Sequence, residues 1–166
     1  MDPFFIWIET TLLSTWVRES PSVFAFPGIL ALHTLGLALL AGPAVAIALH
    51  ILGVASDLRS QSLTRLTPVL WIGFWINASS GLILLIAYPA KALTNPLFYI
   101  KLALVAAAVV VLGRLLTALR AADFSLPAPS ALRRLASASL GLWLATIFAG
   151  RFLAYTYQRL LAYAGL

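Results

Sequence analysis

One uncharged stretch constrains the fold of this chain more than any other feature. No Asp, Glu, Lys or Arg occurs between Glu19 and Asp57, and most of the residues in between are apolar. A helix of about 20 apolar residues is long enough to cross the hydrocarbon core of a bilayer. The stretch therefore predicts a membrane-spanning helix from about residue 26 to residue 55.

Composition extends this prediction to the whole chain. Of the 166 residues, 62% are hydrophobic and 10% are charged, whereas about 25% of the residues in a soluble domain are charged. The formal net charge is +6, but the basic residues are scattered singly or in pairs. A nucleic-acid-binding surface would gather them on one face. The predicted partner is therefore the lipid bilayer and no nucleic acid.

Three further spans follow from the positions of charges and prolines. Residues without charge separate Arg65 from Lys91, Asn95-Pro96 has the pattern of a helix start, and Arg133-Arg134 precedes the last apolar stretch. These signals predict spans from about 66 to 88, 97 to 119 and 134 to 158. Within the first span, Pro43 predicts a kink because proline removes one backbone hydrogen bond.

The first residues have a different pattern. Between about residues 2 and 18, aromatic and aliphatic residues alternate with polar ones, and Trp7 and Trp16 are among them. This pattern predicts an amphipathic helix that lies in the membrane interface. Asp2 and Glu9 stand where a signal peptide would carry basic residues, so the segment is expected to remain in the mature protein. The predicted fold class is all-α: an integral membrane four-helix bundle, residues 1–166, with an N-terminal interfacial amphipathic helix.

Loop charges predict an orientation in the membrane. The side of the bilayer that carries more Lys and Arg is expected to be cytoplasmic. Both termini would then be periplasmic, in the inner membrane of a bacterium. The basic residues on the richer side are Arg59, Arg65, Arg120, Arg133 and Arg134, and those on the other side are Arg18, Lys91 and Arg159.

Small residues recur at four-residue spacing on three of the predicted spans. Such stripes let helix backbones approach closely, and Asn77 between two glycines is expected to make an interhelical hydrogen bond. The stripes predict packing within the bundle or between copies, as in a structural or accessory subunit of a homo-oligomer or larger membrane complex. A channel ranks below this because no continuous polar stripe is present. The residues are Ala38, Gly42 and Ala46; Gly73, Asn77 and Gly81; and Ser137, Gly141, Ala145 and Ala149.

Several chemistries lack the residues that they need. All five acids fall outside the predicted spans, which argues against proton-coupled or sodium-coupled transport. The chain has no cysteine, and its one methionine is Met1, which argues against a copper pathway through sulfur ligands. No nucleotide-binding loop, zinc-protease motif or serine-hydrolase motif occurs. An enzyme that relies on side-chain acid–base chemistry is therefore not expected.

His33 and His50 are seventeen residues apart on the first span. On an ideal helix this separation is about 25 Å and about 260° of rotation, so the two cannot bind one haem or metal within a protomer. His50 falls at the predicted cytoplasmic end. His33 lies about ten residues inside the span, where an ionisable residue indicates function. It is either a ligand-binding residue or a neutral histidine that is hydrogen-bonded to a neighbouring helix.

Two cations are predicted at the depth of His33. Lys101 lies near the start of the third span and Arg151 near the end of the fourth, with no acid inside the spans to neutralise them. We therefore expect an anionic or strongly hydrogen-bonding group nearby, such as the propionates of haem b, the carbonyl of a quinone or a lipid phosphate. His33 would ligate the iron if the ligand is haem. The predicted site residues are His33, Gly36, Lys101, Arg151 and Tyr155, with Gly36 leaving room for a flat ring.

Two alternatives to a ligand are open at this depth. Glu9 or Glu19 could fold over the site from the N-terminal segment and neutralise the cations. Lys101 and Arg151 could instead extend to lipid headgroups, each on its own.

A resemblance covers nearly the whole chain. In their order, the residues given at the end of this paragraph resemble a family of small, largely uncharacterised bacterial four-helix inner-membrane proteins. That family is loosely similar to copper-resistance D-type and b-type cytochrome membrane domains. The resemblance implies a fold more than an activity. The family often has an acid three residues before the histidine and an Asp-x-Arg near the end of the first span, where this chain has Leu30, Ala48 and His50. The residues are Trp16, Arg18-Glu19-Ser20, the run from His33 to Leu40, Gly42, Leu52-Gly53, Pro68, Gly73-Phe74, Gly81, Asn95, Phe98, Lys101 and Gly150-Arg151.

Overall fold

The computed structural model describes residues 3–55, 57–58, 60–121 and 128–163. Within these ranges the regular structure is helical and no strand occurs, so the predicted all-α class is confirmed. Three residues used in the sequence predictions, Asp2, Arg59 and Asp123, lie outside the described residues, as does the side chain of Arg159.

Four of the described helices are long and apolar enough to cross a membrane, as predicted. Successive long helices run in opposite directions. The short helices α1, α2 and α6 therefore lie at one end of the bundle, the upper end, and α4 lies at the lower end. The helices are α1 (Pro3–Glu9), α2 (Leu12–Glu19), α3 (Phe26–Ile51), α4 (Ser60–Thr64), α5 (Thr67–Ala87), α6 (Pro89–Leu93), α7 (Pro96–Ala121) and α8 (Ser130–Tyr163).

The helix ends have clear local causes. α7 begins at Pro96, as the sequence predicts, and the side chain of Asn95 accepts a hydrogen bond from the backbone N–H of Leu97 at 3.0 Å. α3 ends before Gly53, whose φ of 84° lies in the left-handed region that glycine adopts without strain. Pro43 lies inside α3, and the helix runs through it without interruption.

The long helices pack as two antiparallel pairs. α3 pairs with α5, α7 pairs with α8, and α3 joins the pairs by packing against α8. α5 and α7 have little contact with each other. The core between the pairs is apolar and includes Leu40, Ile47, Leu70, Leu112 and Trp143.

Glycines bring α3 and α5 unusually close together. A Cβ atom added at Gly36 would lie 2.5 Å from the backbone nitrogen of Asn77, and one at Gly73 would lie 2.7 Å from the backbone nitrogen of Leu40. Neither position has room for a side chain. The predicted stripe on α5 thus faces α3, in the manner of small-residue contacts between membrane helices.

The predicted stripes on α3 and α8 make only part of the expected contacts within the bundle, since Ala46 packs against the core and Ala149 is buried but Gly42 and Gly141 are exposed. A Cβ added at Gly42 or Gly141 would meet no atom of the described residues within 4 Å. α8 instead buries a face that includes Ser139, Trp143 and Thr146. Contacts of Gly42 and Gly141 with another copy stay a prediction.

The N-terminal segment differs from the prediction of one helix over residues 2 to 18. It forms two helices because Thr11 starts a new one, its hydroxyl accepting a hydrogen bond from the N–H of Ser14 at 3.4 Å. The hydroxyl of Ser14 then donates to the carbonyl of Ala87 at 3.3 Å, which fixes α2 on the upper end of α5. A place for this segment in the membrane interface stays a prediction.

Candidate functional site

His33 points from α3 towards α5. Its Nδ1 atom lies 3.0 Å from the backbone carbonyl of Asn77 and 3.2 Å from the hydroxyl of Ser80. The side-chain amide of Asn77 donates in return to the carbonyl of His33 at 2.7 Å. The interhelical hydrogen bond predicted for Asn77 is therefore present, and two helices exchange polar contacts within an apolar bundle.

These contacts determine which nitrogen of the His33 imidazole carries the hydrogen. The carbonyl of Asn77 can only accept a hydrogen bond, and the hydroxyl of Ser80 donates its hydrogen to the carbonyl of Ile76. Both partners of His33 Nδ1 therefore act as acceptors, which places the hydrogen on Nδ1. In the neutral ring, Nε2 then carries a lone pair. None of the described residues bonds to Nε2.

Glycine makes room for the ring on α5. A Cβ added at Gly81 would lie 3.0 Å from Cε1 of His33. Any larger residue at position 81 would press on the imidazole. The ring is thus held between its hydrogen bonds and the backbone of α5, so its orientation is well determined.

Lys101 is the second polar group at this level. It is half-buried on α7, and its side chain lies over α8, where a Cβ at Gly150 would be 3.9 Å from Cε of Lys101. Its ammonium group is within electrostatic range of the His33 imidazole. Among the residues that the structure describes, no acceptor or carboxylate pairs with the ammonium. Lys101 therefore has donors that no described residue uses.

The other two polar residues of the predicted site lie on the surface of α8. Arg151 is exposed and donates to the hydroxyl of Tyr155 at 3.2 Å, with its guanidinium 5.6 Å from the centre of that ring. Of the predicted site residues, the structure places His33 against α5 and Lys101 over α8, and leaves Arg151 with Tyr155 on an exposed face. For Arg151 this geometry fits the alternative in which the side chain extends to lipid headgroups.

Gly36 has a different role from the one that the sequence suggested. The space that we assigned to a flat ring is filled by the backbone of α5 at Asn77. Gly36 positions His33 indirectly, because the close approach of α3 and α5 brings the imidazole within reach of Asn77 and Ser80.

The acids of the N-terminal segment do not neutralise the site. Glu9 and Glu19 pair with Arg18, at 3.5 and 3.8 Å between their nearest nitrogen and oxygen atoms. The guanidinium of Arg18 also donates to the carbonyl of Glu9 at 2.8 Å. These contacts join α1 to α2 at the upper end.

His50 is held separately at the lower end of α3, where its Nδ1 lies 3.0 Å from the carbonyl of Ala55. No group of three His, Cys, Asp or Glu side chains that could hold a metal ion occurs among the described residues. Within one described protomer, a haem at His33 would therefore have one axial histidine.

A crevice of about 50 Å³ lies between α5 and α7 below the polar pair. It arises because these two helices have little contact, and its lining contains no charged residue. Sequence reasoning missed it, although Gly113 inside an apolar span was one signal for open space. The lining residues are Leu40, Leu70, Trp71, Phe74, Val109, Leu112, Gly113 and Leu116.

Comparison with known proteins adds no assignment. The chain matches no protein-family model, no curated protein and no solved structure with which it was compared.

Proposed function

We propose that this protein is a membrane subunit that binds a quinone-type lipid, with the ring held between His33 and Lys101. The observation that carries the proposal is the imidazole of His33, held with its lone pair on Nε2, together with the half-buried ammonium group of Lys101, which has no acceptor among the described residues. Burying two polar groups in apolar surroundings costs free energy unless each forms a hydrogen bond with a partner.

The reduced form of a quinone has the functional groups that suit this pair. A ring hydroxyl can donate to Nε2 of His33, and a ring oxygen can accept from Nζ of Lys101. The ligand carries no charge and is soluble in the bilayer. His33 and Lys101 lie about 10 Å and about 8 Å from the starts of their helices, inside the apolar segments that are long enough to span a membrane.

Haem b is the second candidate. A ligating histidine usually donates its other ring nitrogen to a carbonyl or carboxylate, which orients the ring, and His33 has this arrangement with Asn77. Lys101 would then hold a haem propionate. Haem would supply one-electron chemistry, and a second axial histidine would have to come from another copy or subunit.

A structural or accessory role is the alternative in which nothing binds. In that case the contact of His33 with Asn77 only stabilises helix packing, since hydrogen bonds between membrane helices contribute about 0.6 kcal/mol on average.

Purified protein in lipid nanodiscs tests the proposal with a reduced quinone as the probe. His33→Asn retains a donor near Nδ1 for the carbonyl of Asn77 but removes Nε2, and Lys101→Met retains the side-chain length but removes the ammonium. Each is expected to lower quinone retention about tenfold, the effect of losing one hydrogen bond that involves a charged or buried group. The readout is quinone per protein after organic extraction.

Two matched controls use the remaining histidine and lysine. His50→Asn and Lys91→Met change the same residue types away from the site and should retain quinone as the unmodified protein does. A Soret band that disappears in His33→Asn would establish haem instead. Equal retention by all variants, without a Soret band, would contradict both candidates and favour the structural role.

A further inference from the structure

We propose that the lower end of the bundle binds an anionic phospholipid, with the phosphate held by Arg114 of α7 and Arg134 of α8 and the acyl chains lying along the apolar surface above them. This site is separate from the proposed quinone site, which lies towards the upper end, and it takes a second class of ligand.

Exposed arginines without a partner are concentrated at the lower end of the bundle. None of the five forms an ion pair or a hydrogen bond with a described residue, although Asp57 is exposed at the same end. At the upper end, by contrast, Arg18 pairs with Glu9 and Glu19. The lower end therefore presents positive charge that no described residue compensates. The five residues are Arg65, Arg114, Arg120, Arg133 and Arg134.

Two of these arginines, Arg114 and Arg134, point away from the core. Each is two residues from a buried residue of its own helix, Leu112 on α7 and Ala136 on α8, and two residues turn a helix by about 200°. Both arginines are exposed. Because α7 and α8 pack against each other as a pair, their outward faces are neighbours on the surface of the bundle.

Arg114 and Arg134 also lie at a similar height above the lower end. Arg114 is seven residues before the end of α7, and Arg134 is four residues after the start of α8, which is about 10 Å and about 6 Å along the helix axes. Both positions fall within apolar segments that are long enough to span a membrane. An arginine in such a segment extends its side chain to the headgroups, so both guanidinium groups can meet one layer of phosphates.

The surroundings of Arg114 favour a phospholipid over a soluble acidic partner. Val110 and Ala107 are four and seven residues before Arg114 on the same face of α7, and both are exposed. An acidic protein or a nucleic acid offers no acyl chain to this apolar surface, whereas a phospholipid has acyl chains and a phosphate in one molecule. Guanidinium groups bind phosphate through two parallel hydrogen bonds. Two of them favour a lipid of net negative charge over a zwitterionic lipid, whose ammonium group offsets its phosphate.

Native mass spectrometry of the purified protein in a mild detergent tests the proposal, with phosphatidylglycerol and phosphatidylcholine of identical acyl chains as probes. The unmodified protein is expected to bind phosphatidylglycerol more tightly. Arg114→Gln and Arg134→Gln should each weaken phosphatidylglycerol binding about fivefold, the contribution of one arginine near an anionic membrane surface. Both variants should bind phosphatidylcholine as the unmodified protein does.

The matched control is Arg65→Gln, which removes the same charge from the same end but between α4 and α5. It should change phosphatidylglycerol binding less than twofold. A control as weak as Arg114→Gln would mean that net charge, and not this pair of arginines, attracts the lipid, and would overturn the site.

Equal affinity of the unmodified protein for the two lipids would also overturn the proposal. So would unchanged phosphatidylglycerol binding in either Arg114→Gln or Arg134→Gln, with the variant shown to be folded by thermal unfolding. Glycerophosphoglycerol, the headgroup without acyl chains, distinguishes a lipid site from a site for a soluble anion. It should bind far more weakly than the lipid, and equal binding would overturn the assignment to a phospholipid.

Discussion

The hydroxyl of Ser80 helps to determine which ring nitrogen of His33 carries the hydrogen. Because it gives its hydrogen to Ile76, it faces Nδ1 of His33 only as an acceptor, together with the carbonyl of Asn77. Both contacts keep the hydrogen on Nδ1 and the lone pair on Nε2. The chemical character of the site at the residue scale is thus set by neighbours on α5 rather than by the histidine alone.

A second observation at the residue scale concerns polar atoms without partners. The hydroxyls of Ser139 and Thr146 and the indole nitrogen of Trp143 are buried on α8, and none bonds to another described residue. A buried polar atom without a partner destabilises the fold, whereas an apolar group of the same shape does not.

Thr146→Val is therefore expected to leave the free energy of unfolding unchanged or to raise it by up to about 1 kcal/mol. The matched control is Thr156→Val, which removes the acceptor for the side-chain amide of Asn95 at 3.0 Å and should lower the free energy by about 1 kcal/mol. Denaturant unfolding in one detergent measures both. If Thr146→Val destabilises the protein as much as Thr156→Val, the hydroxyl of Thr146 has a partner.

At the scale of elements, the close contact of α3 with α5 is what brings His33 to its acceptors. Gly36→Ala places a methyl group 2.5 Å from the backbone nitrogen of Asn77. The two helices must separate to admit it, which we expect to cost about 1–3 kcal/mol and to weaken quinone retention at His33.

Gly42→Ala is the control on the same helix, because its methyl group would meet open space. It should preserve retention and leave stability equal or slightly higher, since alanine favours helix over glycine. Thermal unfolding together with quinone extraction gives both readouts. Equal effects of the two substitutions would mean that the contact between α3 and α5 is looser than described.

The element scale also shows what periodicity in a sequence can and cannot predict. The uncharged stretch, the Asn95-Pro96 start and the glycines of α5 were enough to predict four apolar helices and the partner role of Asn77. The break at Thr11 was missed because an amphipathic pattern continues across it and hides a capping residue. Gly42 and Gly141 meet no described atom, and their contact with another copy stays a prediction, because spacing alone does not say which face of a helix meets a neighbour.

At the scale of the whole molecule, the two antiparallel helix pairs are joined through α3 and α8, and α5 and α7 have little contact with each other. This arrangement leaves an apolar crevice between α5 and α7. The depths of Lys101 and His33 in a bilayer stay predictions from residue counts along the spans. The outward direction of Arg151 was not predictable in this way, because depth is independent of rotation about the helix axis.

Direct observation of the ring nitrogens of His33 tests the central claim, that a neutral imidazole presents a lone pair at Nε2 to a ligand. Solid-state NMR of histidine-labelled protein in lipid distinguishes the two nitrogens, and the His33→Asn variant assigns the signals of the two histidines. The account predicts a hydrogen on Nδ1 of His33, a bare Nε2, and a shift of Nε2 alone when reduced quinone is added, with His50 unchanged. A hydrogen on Nε2 without ligand, or a His33 spectrum that does not respond to quinone, would contradict it.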